Sequence, residues 1–315
     1  MKQKEMSGAI DYKKPMTLKS NIRKYWPYYV LVIPGMIYLF MFHYVPMFGS
    51  VIAFQKYSVF KGVWGSKWVG LENFRQLFKY PDFSRILINT MIFGFIKTIL
   101  IFPIPVIFSL AINEIRYMPL KKSVQTAVYI PHFLSWVIVG GMIFDIMGKG
   151  GLFNIIRGWF GLKSVLGMQI ESWFRPIFAF SSVWKEAGWG TVVYLAALSG
   201  IDPGIYEAAE VDGASRFQRM WNLTLPMLIP TMLTLFLLGI GKFLEIGFEQ
   251  NYNLLTPMTL SVGDIFDTYV YRVGILNGQY SSTTAIGLFQ AVVGLILVGT
   301  FNFIANKTTE DGGLW

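Results

Sequence analysis

Asp202-Pro-Gly-Ile-Tyr-Glu-Ala-Ala-Glu-Val-Asp-Gly-Ala-Ser-Arg-Phe-Gln-Arg-Met-Trp-Asn-Leu-Thr-Leu-Pro226 is a polar insert between two apolar stretches. Asp202 has the chemistry of a helix N-cap, with Pro203 at the first turn, and Gly213 suits a left-handed residue that closes the helix. A second short helix is expected at once, because Ser215 and Gln218 have the spacing of a capping box. Pro226 marks the return to an apolar segment. The insert therefore reads as a compact pair of helices at a membrane surface.

The membrane follows from composition. Apolar residues make up 54% of the chain and charged residues only 14%, against about 25% charged in a soluble domain. Six stretches are long enough for a hydrocarbon core of about 30 Å, which takes about 20 helical residues. They run from Tyr28 to Phe54, Ile86 to Ile112, Val124 to Ile146, Pro176 to Leu198, Met227 to Phe248, and Ala285 to Asn306. The fourth carries Lys185 and Glu186. Lipid offers no hydrogen-bond partners, so spanning segments of this length are helices. The expected fold is an all-α, polytopic bundle of six transmembrane helices, with kinks at Pro103, Pro105 and Pro131.

The chain is expected to hold a basic cytoplasmic segment at 1–27, one membrane domain at 28–306 containing the 202–226 loop, and a cytoplasmic tail at 307–315. Seven basic residues precede the first span, which is over twenty residues long and lacks a small-residue cleavage site. It reads as an anchor and not as a secretion signal. The basic leader places the N-terminus in the cytoplasm, and six spans return the C-terminus there. That topology puts the 202–226 loop inside and the segments near 55–85, 147–175 and 249–284 outside. The net charge of +9 faces anionic headgroups, since no nucleic-acid module accompanies it. In the first external segment Leu71, Phe74, Leu77 and Phe78 have helical spacing, which fits either an interfacial helix or a loop packed on the bundle.

Several chemistries are excluded. There is no cysteine, hence no disulfide scaffold, thiol nucleophile or thiolate zinc site. Two histidines, His43 and His132, give no metal site. No Gly-x-x-x-x-Gly-Lys-Ser/Thr occurs: Gly239-Ile-Gly241-Lys242 and Gly148-Lys149-Gly150-Gly151 miss both the spacing and the hydroxyl. No serine-hydrolase elbow or His-Glu-x-x-His helix is present. ATP and magnesium, if used, belong to a partner.

Glu207-Ala-Ala209, Asp212-Gly-Ala214 and Leu225-Pro226 resemble the coupling loop of binding-protein-dependent ABC importers, specifically their sugar permease subunits. The resemblance extends to Pro27-Tyr28, Ile33-Pro34-Gly35, Val69-Gly-Leu-Glu-Asn-Phe74, Asn89-Thr90, Trp184 to Gly190 and Leu195 to Leu198. In Asp267 to Arg272, Gly287 to Gln290 and Gly313 to Trp315 it is nearest the subgroup for complex oligosaccharides and polysaccharide fragments. It implies the type I importer permease fold, in the bacterial cytoplasmic membrane. It also implies a second permease subunit, usually a different chain, two ATPase subunits, and an extracellular solute-binding protein that delivers the oligosaccharide. ATPase closure would draw the coupling helices together and rock the spans in alternating access. The residues carried over to ATPase coupling are Glu207, Ala208, Ala209, Asp212, Gly213, Ala214 and Pro226. The small ones let the helices sit close, and Glu207 offers a charge to a basic partner.

Sugar-path candidates are polar and aromatic residues inside spans, since an ionisable side chain in lipid is costly and faces a cavity or a partner. Lys242, Glu245 and Glu249 on the fifth span are spaced i, i+3 and i+7 and hence are expected on one face. They either line the path or form an internal Lys242–Glu245 pair with Glu249 at the outer surface. Trp136, Trp184, Trp189 and Phe243 either stack on sugar rings or serve as belt and core. Lys97 and Asp145 are lone ionisable residues in spans. Proton coupling is the sharper reading of them, and snorkelling or a span-end position the plainer. A secondary transporter would carry more intramembrane charge or an inverted repeat, and a glycan-modifying enzyme would need a catalytic constellation that is absent.

Overall fold

The computed structural model describes residues 18–308; Lys13, Lys14 and Gly313 to Trp315 lie outside them. The chain divides into two units, separating at residues 51 and 52. In the first, helix α1 (Leu18–Leu39) continues into a π-helical stretch, Phe40–Tyr44, and a last turn, Val45–Phe48. By length and hydropathy the span runs Lys24–Phe54, so it starts a turn before the expected Tyr28. The side chains described along α1 are exposed.

The second unit opens with a minimal antiparallel hairpin, β1 (Gln55–Lys56) paired with β2 (Lys67–Trp68) in the register Gln55↔Trp68. Helix α2 (Glu72–Lys79) follows. Its buried Asn73 donates to the carbonyls of Ala53 (2.7 Å) and Gln55 (2.9 Å), fixing the hairpin to the helix. Leu77 packs with Phe83, Ile86 and Ile286, while Leu71 and Phe78 stay exposed. The segment is thus a helix seated on the bundle with an open outer edge, combining features of both expectations.

The remaining elements include α3 (Phe83–Asn113), α4 (Met118–Tyr129), α5 (Trp136–Met147), α6 (Leu152–Trp159), α7 (Glu171–Ser199), α8 (Pro203–Val211), α9 (Arg216–Ile240), α10 (Phe248–Leu254) and α11 (Tyr280–Thr308), with short turns between α10 and α11 that run through Phe266–Tyr269 into a π-helical stretch, Val270–Leu276. Among the described residues five helical runs are long and apolar enough to cross a membrane. The expected fourth span is not one of them. It lies within α7, a helix of 29 residues that is long enough to span but carries Glu171, Arg175, Lys185 and Glu186.

The expected third span, Val124 to Ile146, is broken. Pro131 lies in a short 3₁₀ turn, Ile130–Phe133, and the helix restarts at Trp136 with Ser135 accepting from the Ile138 amide at 3.3 Å. Pro103 follows a π-helical stretch, Ile96–Ile101: a proline cannot donate to the preceding turn, and the widened ladder absorbs the loss. The expected fifth span overruns. Its helix starts earlier, at Arg216, and stops at Ile240, eight residues before Phe248.

Lipid tails compete with apolar side chains, so packing in the bundle rests on close approach and on polar ties. Gly188 of α7 lies so near α4 that a Cβ there would sit 1.9 Å from the Val128 carbonyl oxygen. A polar knot joins α3 and α7 to residues 261–272. Asn89 donates to the carbonyls of Ser261 (3.0 Å) and Asp264 (3.1 Å) and accepts from Arg175 (3.0 Å), while Thr90 accepts from the Phe266 amide at 3.1 Å. The fully buried Asp264 carboxylate takes Arg272 at 2.6 Å and the Thr268 hydroxyl at 2.8 Å. Asp264→Asn is expected to lower stability by about 1–3 kcal/mol, the cost of an impaired buried hydrogen-bond set. A fall in the thermal unfolding temperature of the detergent-solubilised protein, absent in the exposed Glu72→Gln control, checks it.

Candidate functional site

The 202–226 loop is built from its caps. Asp202 accepts from the Gly204 amide at 2.9 Å, starting α8 with Pro203 in its first turn. At the far end Gly213 has φ +80°. The Ala214 amide donates to the Ala209 carbonyl (2.9 Å) and the Gly213 amide to that of Glu210 (3.1 Å), which together make a Schellman motif. The capping box is complete: Ser215 Oγ accepts from the Gln218 amide at 3.3 Å, and Gln218 Oε1 from the Ser215 amide at 2.8 Å.

Two side-chain ties brace α8 against α9, Arg219 to Glu210 at 2.7 Å and Tyr206 to Thr224 at 3.1 Å. Arg219, by hydrogen bond and by charge, holds the Glu210 carboxyl below its usual range. A depressed carboxyl contributes to loop stability above its unfolded pKa, and that contribution is lost as pH falls through the lowered value. Glu207, Ala208, Asp212 and Gly213 are exposed, whereas Ala209 and Ala214 are half-buried. Close approach therefore rests on the latter two, and Ala208 belongs to the outward face with Glu207. The second helix is not separate, as expected from sequence, but is the first turn of α9. Pro226 accordingly lies inside a continuous helix, just past the π-helical stretch Met220–Thr224.

Lys242, Phe243, Glu245, Glu249 and Trp136 gather where α9 ends. Residues 241–247 are unwound, so Lys242, Glu245 and Glu249 do not share a helix face. No Lys242–Glu245 ion pair forms among the described residues; the Glu245 amide donates to the Lys242 carbonyl at 2.8 Å. The freed backbone is held from three directions. Gln290 of α11 donates to the Leu244 carbonyl (2.8 Å), Lys97 of α3 to that of Ile246 (2.5 Å), and Asp267 accepts from the Gly247 amide (2.9 Å). Lys97, a lone ionisable residue of its span in sequence, here holds the Ile246 carbonyl and so positions the unwound backbone. Irregular backbone at membrane depth survives only when satisfied in this way.

Two of the cavities beside the unwound segment share Lys97 and Ile246. One of about 200 Å³ is lined by Lys242, Phe243 and Glu245, and one of about 240 Å³ by Trp136, Glu186, Glu249 and Gln250. Trp136 is buried with Lys185 5.2 Å from its ring centroid. Gln250 is locked into α7 by bonds to Ser181 and Ser182 at 3.0 and 2.7 Å. Trp184 lines a separate cavity with Pro131 and Phe180. Trp189 lines neither central cavity and stacks on His132 at 4.7 Å. Asp145 is exposed near the end of α5, the plainer of its two readings. Glu186, Gln250 and Gly247 were missed from sequence; the signal for the last was a glycine pair, Gly241 and Gly247, within an apolar run. Lys97→Met, which deletes the donor to Ile246, is expected to cut transport several-fold with the chain still present in the membrane. Uptake normalised to immunoblot signal measures it.

Apolar helices around an unwound polar segment, with a braced polar loop at one end, define a membrane transport subunit. The chain belongs to the family of binding-protein-dependent transport system inner membrane components, which it matches over residues 83–308. It is 45% identical over 301 residues to the Bacillus subtilis (strain 168) polygalacturonan/rhamnogalacturonan transport system permease protein YteP, covering 95% of this chain and 93% of that protein. It is also 45% identical over 286 residues to protein LplB of the same organism, with 90% of each covered. Among solved structures it superposes with a TM-score of 0.85 and 37% identity on a chain of a bacterial alginate ABC transporter in complex with an alginate pentasaccharide-bound periplasmic protein. That match covers 94% of this chain and 99% of the other.

Proposed function

We propose that this chain is the permease subunit of an ATP-driven importer that carries an oligosaccharide of the polysaccharide-fragment class across the cytoplasmic membrane. The observation that carries the reading is the 202–226 loop. Its central reversal is fixed by a Schellman motif that runs straight into a capping box, its halves are braced by Arg219–Glu210 and Tyr206–Thr224, and it presents Glu207 outward. A rigid knob at the root of a span suits the transmission of force from a soluble engine. The similarity to a rhamnogalacturonan permease and to an alginate importer supports the substrate class.

In this reading α7 is a sixth span beside the five apolar ones, both termini are cytoplasmic, and residues 28–306 form the membrane domain. A second permease, two ATPase subunits that bind ATP and magnesium, and an external solute-binding protein complete the importer. Glu207, Ala208, Ala209, Asp212, Gly213, Ala214 and Pro226 serve the coupling. The sugar path runs past Lys242, Phe243, Glu245, Glu249 and Trp136. Trp184 and Trp189 lie farther from it and serve as packing. Purification through this chain is expected to recover a second permease and an ATPase in fixed proportion, with Glu207→Lys abolishing ATP-dependent uptake but not membrane insertion. Recovery of the chain alone, with uptake unaffected by ATP depletion, overturns the reading.

A further inference from the structure

Behind the coupling knob lies a polar cavity of about 190 Å³ whose lining includes Asn113, Arg116, Tyr206, Arg216, Arg219 and Glu114. Asn113 is the last residue of α3 and Arg216 the first of α9, both apolar enough to span. The cavity therefore opens where two spans leave the hydrocarbon on the same side. Arg219 is engaged by Glu210 at 2.7 Å. Arg116 and Arg216 are exposed and make no ion pair within 4.0 Å among the described residues. One turn into α9 the exposed rings of Phe217 and Trp221 stack with centroids 6.2 Å apart. Aromatic rings at this level are characteristic of the headgroup region.

We infer that this cavity binds the phosphate of an anionic phospholipid headgroup in the leaflet on the coupling-loop side, with Arg116 and Arg216 as its ligands. The lining holds three guanidiniums and the Glu114 carboxylate; with Arg219 engaged by Glu210, one positive charge is left over, the complement of a single phosphodiester. Planar guanidinium forks match phosphate oxygens in pairs, and a basic site at a span end is worth more beside anionic lipid than in free solution. The bound lipid would brace the root of the knob from the membrane side, as Glu210 does from the solvent side. The inference takes the knob's side as the cytoplasmic leaflet, in keeping with the proposed function.

The test uses the transporter purified with its partners and carried through detergent exchange into native mass spectrometry. Preparations are compared after loading with phosphatidylglycerol or phosphatidylcholine. We expect retention of one phosphatidylglycerol per copy of this chain, falling by roughly tenfold or more in Arg116→Gln/Arg216→Gln. The charge-retaining Arg116→Lys/Arg216→Lys should lose less, and Arg85→Gln, at the opposite end of α3, should lose nothing. Equal retention of the two lipids by the unmodified complex overturns the proposal without recourse to any variant. Displacement by excess inorganic phosphate identifies a free-anion site instead. Binding that emerges only after the ATPase is stripped away assigns the arginines to that partner. Retention is read without transport, so failure here is distinct from failure of the importer reading, which turns on the copurified subunits.

Discussion

ATP-dependent uptake is expected to fall sharply, with the protein still in the membrane, when Gly213 becomes proline. The residue stands at φ +80°, whereas a proline ring fixes φ near −65°. The substitution also removes the amide that donates to Glu210 at 3.1 Å. Both bonds of the Schellman motif depend on that left-handed turn, so the reversal between α8 and α9 cannot form as it stands. Since Gly213 is exposed and a side chain there meets nothing within 4 Å, the defect is one of direction and not of crowding. The spans should still insert. The expected loss is roughly 5- to 150-fold, the size of a coupling free energy of about 1–3 kcal/mol. Gly213→Asn, which tolerates the left-handed region, should retain much of the activity. Transport assays on membranes matched for chain content decide it, and normal uptake by the proline variant would remove the knob from the mechanism.

The largest structural effect is expected at Gly188→Ala. The added methyl would lie 1.9 Å from the Val128 carbonyl oxygen and 2.6 Å from its carbon. Both are backbone atoms of another helix, so no rotamer change relieves the clash. Helix α7 would have to move away from α4, opening the contact that seats Lys185 on the His132 carbonyl at 3.1 Å. Overpacking costs about 1–3 kcal/mol and occasionally more, and a backbone obstacle on both sides places this site at the upper end. Gly141→Ala is the control, because a Cβ there meets nothing within 4 Å. Chain abundance and thermal unfolding in detergent should fall for the first variant only.

Helix α8 and the capped start of α9 were legible in the residues because their determinants are local: Asp202, Gly213, Ser215 and Gln218 each act within a few positions, whereas the unbroken run of α9 through Pro226 was not. The broken third span was legible in part, through Pro131. The end of α9 at Ile240 was not, because apolar residues continue through Phe243, Leu244 and Ile246 with no proline among them. Apart from Gly241 at the C-cap, what holds the break open is remote. Gln290, Lys97 and Asp267 arrive from elsewhere in the chain to satisfy the backbone that the break exposes. Periodicity within a window carries no trace of such partners. The same applies to Gln250, an ordinary polar residue in sequence whose meaning comes from Ser181 and Ser182 on α7.

Helix α9 runs without interruption from the knob to the cavities, and this sets a mechanical ratio. From Leu225 to Ile240 are 16 residues, about 24 Å at 1.5 Å per residue. A pivot of about 10° near Thr224 would therefore sweep Ile240, and the loosened strand of chain beyond it, through roughly 4 Å. That stroke is comparable to the width of a sugar ring, so an oar of this length converts a slight tilt at the waterline into a step the size of its cargo.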